Sequence, residues 1–190
     1  MAWKGDGNEG LSISGHSVQY GGGKGDAKGN ALWTDQLASS SYVEFKVSGE
    51  PGTWVGVATE ANFAAGWGLK GLFYGGPGNL SDGGSLVQSN WGPKFGAGDV
   101  IGMQVDQSAD RVQIAFAKNG AGLGPAFDIA GWTAGPLHPT VSFNTAGQGW
   151  KRMSCCHGCQ ELCQQASRLL IGYNTRVSNS SNQSEVRSPS

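Results

Sequence analysis

No apolar run in this 190-residue chain approaches the length of about 18 that crosses a bilayer as a helix. The opening MAWKGDGNEG also lacks the apolar stretch of a secretory signal. The expectation is a soluble intracellular, cytoplasmic protein. Cysteine is missing from the first 154 residues: Cys155, Cys156, Cys159 and Cys163 fall together afterwards, so no disulfide framework can hold the body of the chain. Charge is sparse, at 14% with a net −1, and no basic surface suggests nucleic acid. Residues 1–150 carry 8 Lys or Arg against 12 Asp or Glu, net −4, and residues 151–190 carry 5 against 2, net +3. The body is mildly acidic and the end mildly basic.

Glycine is plentiful instead, with 31 of 33 before Lys151, and all seven Trp lie there too. Each glycine inside a helix costs about 1 kcal/mol relative to alanine, whereas tight turns and bulges take glycine readily. Most informative is FGAGDVIGMQVDQSADRVQIAFAKNG, from Phe95 to Gly120. Ile101, Met103 and Val105 alternate with Gly102, Gln104 and Asp106, then Val112, Ile114 and Phe116 share one parity, so two strands each have a dry and a wet face. Asn119-Gly120 suits the two positive-φ positions of a type I′ turn and sends the chain back antiparallel. Elsewhere, Val43, Phe45 and Val47 share one face of YVEFKV, and LSISGHSVQY reads as an edge strand. Between Glu60 and Gly98, ten apolar residues among glycines predict two or three short strands, LKGLFY and GSLVQSNWG among them. Residues 1–10 read as a flexible N-terminus around a lone Trp3, and 11–150 as one β domain. Residues 151–190 read as a Cys-containing short helix (Leu162, Ala166, Leu169 and Leu170 at helical spacing) and a disordered Ser/Asn-rich tail.

These segments carry a family resemblance. Gly-Asp-Val-Ile-Gly, an apolar strand ending in Asp and a strand ending in Phe-x-x-Asn-Gly resemble the core of the SPRY (B30.2-type) domain. SYVEFKV at 41–47, WVGVAT at 54–59, GPAFDI at 124–129 and PLHPTVSF at 136–143 resemble further strands of that family in the same order. Val43 stands where the family usually has Trp, and His138 where it has Tyr. After Phe143 the family adds one more strand, whereas here NTAGQGW runs straight into KRMSCCHGC, which leaves the domain's end open. The resemblance implies an all-β antiparallel β-sandwich of concanavalin-like form, with the short helical or disordered tail appended.

Enzyme chemistry has little support. His16, His138 and His157 fall in three different predicted elements with no nucleophile motif around them, and His138 before Pro139 reads as a structural histidine. Asp106 and Asp110 bracket a turn and serve as its caps. GGGKGD at 21–26 lacks the spacing of a phosphate loop. Asp99 is, by the resemblance, a framework position that bonds nearby backbone amides. In CCHGCQELC, Cys155, Cys159 and Cys163 on a helix would span about 12 Å, too far for one zinc ion. A non-helical zinc knuckle and S-acylation beside Lys151-Arg152 stay open beside a reduced, unpaired tail or sequence foreign to the domain.

Binding remains. Aromatic and amide groups on glycine-rich loops give contact area with few rotors to freeze, and Trp67, Tyr74, Asn90, Trp91 and Asn144 are the candidates. SPRY domains grip short partner peptides with inter-strand loops, so the resemblance implies a non-catalytic, monomeric adaptor for a protein or peptide partner, with no cofactor, no metal, no nucleic acid and no membrane span. A carbohydrate-binding, lectin-like sandwich is the alternative. Lectins of that shape usually carry an Asp/Asn calcium site and a secretory route, and neither is legible here.

Overall fold

Period-two patterning requires a second layer to cover each dry face, and the chain supplies it by folding into two sheets. The computed structural model describes residues 2–5, 7–23, 28–49, 51–132 and 135–153. Its first strands are β1 (Trp3–Lys4), β2 (Leu11–Ser14), β3 (Ser17–Tyr20), β4 (Gly29–Trp33) and β5 (Ser40–Gly49). There follow β6 (Trp54–Ala58), β7 (Leu72–Gly75), β8 (Leu80–Ser81) and β9 (Leu86–Gln88). The last are β10 (Val100–Gln107), β11 (Arg111–Lys118), β12 (Ala121–Ala130), β13 (His138–Phe143) and β14 (Gln148–Met153). The first sheet runs β1-β4-β13-β6-β7-β8-β9 and the second β12-β11-β10-β5-β14-β3-β2, seven strands each. Every described strand pairing is antiparallel.

The predicted hairpin is present. Met103 lies opposite Phe116 and Val105 opposite Ile114, and Asn119 and Gly120 take φ of 51° and 79°, the left-handed pair a type I′ turn needs. Met103, Val105, Ile114 and Phe116 point into the core with Val43, Phe45 and Val47 of β5 and Trp150 of β14. From the first sheet Trp33, Val55, Val57, Tyr74, Val141 and Phe143 meet them. Gly56 lies on the outer side of β6, where an added Cβ would stand 1.9 Å from the Leu72 carbonyl oxygen, so only glycine allows β6 and β7 to approach this closely.

Four features differ from the reading of the sequence. Trp3, placed in a flexible end, is buried, sits edge-on to Trp33 at 5.3 Å and donates its indole N–H to the His16 carbonyl. LSISGHSVQY is a hairpin, β2 and β3, turning at Gly15, whose φ is 54°. Residues 59–71 form a roof with two 3-10 turns, Glu60–Asn62 and Gly66–Gly68, and the three short strands begin only at Leu72. The open end of the domain closes as β14, the strand the resemblance called for, which lies inside the second sheet between β5 and β3. The cysteine cluster, the helix expected after it and the Ser/Asn-rich end lie outside the described residues, as do residues 24–27 of the GGGKGD loop.

Phe116 is fully buried and touches the rings of Tyr74 and Trp91. Phe116→Ala is expected to cost about 3–5 kcal/mol of unfolding free energy through lost burial and a residual cavity. Urea denaturation of parent and variant checks this, and a parent-like midpoint contradicts the register.

Candidate functional site

At the end of the sandwich where β6 begins and β13 finishes, four connections meet: Pro51–Thr53, Gly75–Asn79, Asn90–Asp99 and Asn144–Gly147. Backbone joins them, because Gly76 N–H donates to the Thr53 carbonyl, Gly92 N–H to Gly78 and Phe95 N–H to Gly76. A Cβ on Gly78 would stand 2.4 Å from the Gly92 oxygen. Glycine here lets loops pack on loops.

Gln148 at the start of β14 fixes this rim from below. Its Oε1 accepts from the amides of Asn144 at 2.8 Å and Thr145 at 3.3 Å, and its Nε2 donates to the Pro51 carbonyl at 2.7 Å. Two residues along, the Trp150 indole N–H donates to Thr53 Oγ1, whose own proton goes to the Ser142 carbonyl at 3.0 Å.

The aromatic candidates are mostly not on the surface. Tyr74 is fully buried: it opposes Val55 across β6 and β7 on the inner face, a parity that the alternation of Leu72 and Tyr74 offers. Its hydroxyl donates to the Pro93 carbonyl, and its ring meets Trp91, Phe95 and Phe116 at 5.0–5.2 Å. Burial, with Asp99 adding to it, pushes the phenol up to about 12. Trp91 is half-buried and plugs the same cluster. These two rings hold the rim loop from beneath. Asn90 and Asn144 are exposed: Asn90 has φ 51° and its backbone N–H donates to Asn79 Oδ1, and Asn144 Nδ2 donates to the Gly52 carbonyl at 2.9 Å. Trp67 falls in the turn Gly66–Gly68, and its side chain lies outside the described structure.

The structure adds residues that loop-centred reading missed. Trp54 and Ser142 are register partners on the outer face of the first sheet. With Lys28, Leu69, Phe73 and Ser81 they line a hollow of about 60 Å³ beneath the returning roof. The roof is held down by Asn30, buried on β4, whose Nδ2 donates to the carbonyls of Ala64 and Gly66 at 2.8 and 2.7 Å. Burial draws the Lys28 ammonium below its ordinary range. The signal for Trp54 was its parity, opposite to that of Val55 and Val57 in WVGVA.

The candidates for chemistry have structural roles. Asp106 Oδ1 accepts from Ser40 Oγ and Gln104 Nε2, and Asp110 Oδ1 from Ser108 Oγ. Among the described residues no three His, Cys, Asp or Glu come together as a metal site. Asp99 fixes the turn into β10: its carboxylate accepts from Gly96 N–H at 3.0 Å and Asn119 Nδ2 at 2.8 Å and pairs with Lys118 at 3.1 Å. Burial works against its ionisation, but the hydrogen bonds from Asn119, Gly96 and Lys118 outweigh that and leave the carboxyl below its ordinary range.

This is an antiparallel two-sheet sandwich with aromatic-plugged loops packed at one end. The SPRY domain family model matches residues 40–157, more than half of the chain, and the chain belongs to the SPRY domain family. Strands β1 to β4 precede the match and complete both sheets. A crystal structure of a human SPRY domain is 21% identical, covers 80% of this chain and 96% of its own, and superposes with a TM-score of 0.65. For the SPRY domain of human HERC1 the values are 24%, 80%, 97% and 0.64, and for the TRIM65 PSpry domain 14%, 81%, 93% and 0.51. Comparison with curated protein sequences gives no match. SPRY domains are protein-interaction modules and generally non-catalytic. No helix among the described residues is long and apolar enough to cross a membrane.

Because the folded carboxyl of Asp99 titrates below the unfolded one, its stabilisation is present above the unfolded pKa and is lost as pH falls through the folded value. Asp99→Ala is expected to lose about 1–3 kcal/mol at neutral pH through unmade hydrogen bonds, with the gap to the parent narrowing in acid. Denaturation of both proteins at pH about 7 and about 3 checks this, and a gap independent of pH contradicts the assignment.

Proposed function

We propose that this SPRY domain is a non-catalytic adaptor that grips a partner protein, through a short segment of it, across the rim and the adjoining outer-face hollow. One observation carries the reading: the exposed amides of Asn90 and Asn144 stand on loops already fixed by backbone and Gln148 hydrogen bonds. A surface ordered before binding loses little entropy on contact. Trp54, Lys28 and Ser142 in the lining of the outer-face hollow supply an aromatic ring, a cation and a hydroxyl, and Trp67 is a proposed contact as well. The body's net −4 over residues 1–150 offers little electrostatic substitute, so affinity rests on these groups.

Proximity labelling with the intact chain identifies the partner, and calorimetry then measures Trp54→Ala, Asn144→Ala and Asn90→Gly, the last keeping the positive-φ backbone comfortable. At least one variant is expected to stay folded and lose about 2 kcal/mol or more of binding free energy. If all three fold and bind like the parent, the recognition surface lies elsewhere. Loss of binding on adding EDTA favours the lectin-like alternative.

A further inference from the structure

The same sheet carries a second recess at the opposite end, where β4 and β6 finish and β13 begins. Its walls are Thr34, Gln36, Thr59, Glu60, Pro136 and His138, around a volume of about 410 Å³. His138 opposes Ala58 on the outer face of the sheet, and Glu60 stands in the 3-10 turn that follows β6.

His138 is only 7% exposed. Its Nδ1 lies 3.0 Å from the Trp33 carbonyl oxygen, and because a carbonyl only accepts, Nδ1 carries the proton. In the neutral ring Nε2 is then an acceptor with its lone pair outward. It has no hydrogen-bond partner among the described residues, and His138 lines the recess. Glu60 lines the same recess as His138, and its Oε1 receives Lys4 Nζ at 2.6 Å. A carboxylate accepts about four hydrogen bonds, so the Lys4 contact leaves acceptor capacity on Glu60. Thr34 Oγ1 and Thr59 Oγ1 already accept backbone amides from Ala2 and Asn62. The recess thus presents the Glu60 carboxylate and the His138 ring as acceptors, with the Gln36 amide also in its lining, and no cationic side chain among its lining residues.

We infer that this recess takes the guanidinium of an arginine side chain from a partner polypeptide, with Glu60 and the Nε2 of His138 as joint acceptors. A planar fork with five donors can serve two acceptors that line one recess, whereas a water or a neutral amide supplies too few donors or no charge. The attraction is local, from the Glu60 carboxylate in the lining, since the chain's net charge is only −1. The assignment does not depend on the rim: the two sites lie at opposite ends of β6 and β13 and use different residues.

The test titrates the full chain with N-acetyl-arginine amide at pH about 8, above the ordinary imidazole range, following the imidazole nitrogens of His138 by NMR. A dissociation constant on the order of 1 mM is expected for so small a fragment, with the Nε2 resonance moving as it accepts a hydrogen bond. The citrulline analogue, of the same shape without the charge, is expected to bind at least about tenfold more weakly. Glu60→Gln, an exposed change that leaves the core untouched, is expected to weaken arginine binding by a similar factor. Equal binding of arginine and citrulline amides, an unmoved Nε2 at saturation, no binding, or full affinity in Glu60→Gln each overturns the inference. Tighter binding of free L-arginine than of the blocked form overturns its assignment to a polypeptide.

Discussion

One buried polar relay organises this molecule. From Trp150 on β14 the indole N–H reaches Thr53, just before β6, and Thr53 reaches the carbonyl of Ser142 on β13, so a strand in the second sheet is hydrogen-bonded through Thr53 to the first. All three residues are nearly or fully buried. An unmet polar group there would cost about 1–3 kcal/mol, so the sheets must meet in one register at this end. Phe45 and Phe95 pack on the same indole at 6.1 and 5.8 Å, which places the relay inside the apolar core.

The rim inherits its shape from that constraint. Gln148, two residues before Trp150 and on the same face of β14, bonds the loops on both sides of it, while Tyr74 and Trp91 fill the space beneath the Asn90–Asp99 connection. Aromatic rings inside and amides outside reverse the simple picture of a binding loop. The apolar groups are spent on rigidity, and the exposed polar groups are left in fixed positions. Under the proposed function, such an arrangement would meet an extended segment, whose own backbone presents amides.

Much of this was legible in the sequence, for reasons specific to each element. The β10–β11 hairpin was readable because inward positions are all apolar and the turn is Asn-Gly. Strand β14 was hidden because its inward positions are Gln148, Trp150 and Arg152, two of them polar. Gln148 bonds loops, and the Arg152 guanidinium lies 4.5 Å over the Trp33 ring, so neither obeys apolar alternation. Trp3 looked like a frayed end because a two-residue strand has no period to detect. The family resemblance implied a sandwich with binding loops, but composition could not tell a loop aromatic that faces a partner from one that faces the core. Tyr74 carried its answer in parity with Leu72, whereas Trp91, in an irregular stretch, carried none.

Hydrogen exchange in Gln148→Ala tests most directly whether β14 holds the rim. If β14 holds the rim, the amides of Asn144 and Thr145 exchange at least about tenfold faster than in the parent, while those of β10 and β11 keep their protection. Unchanged exchange at Asn144 and Thr145, or an equal loss of protection throughout the sandwich, would contradict it.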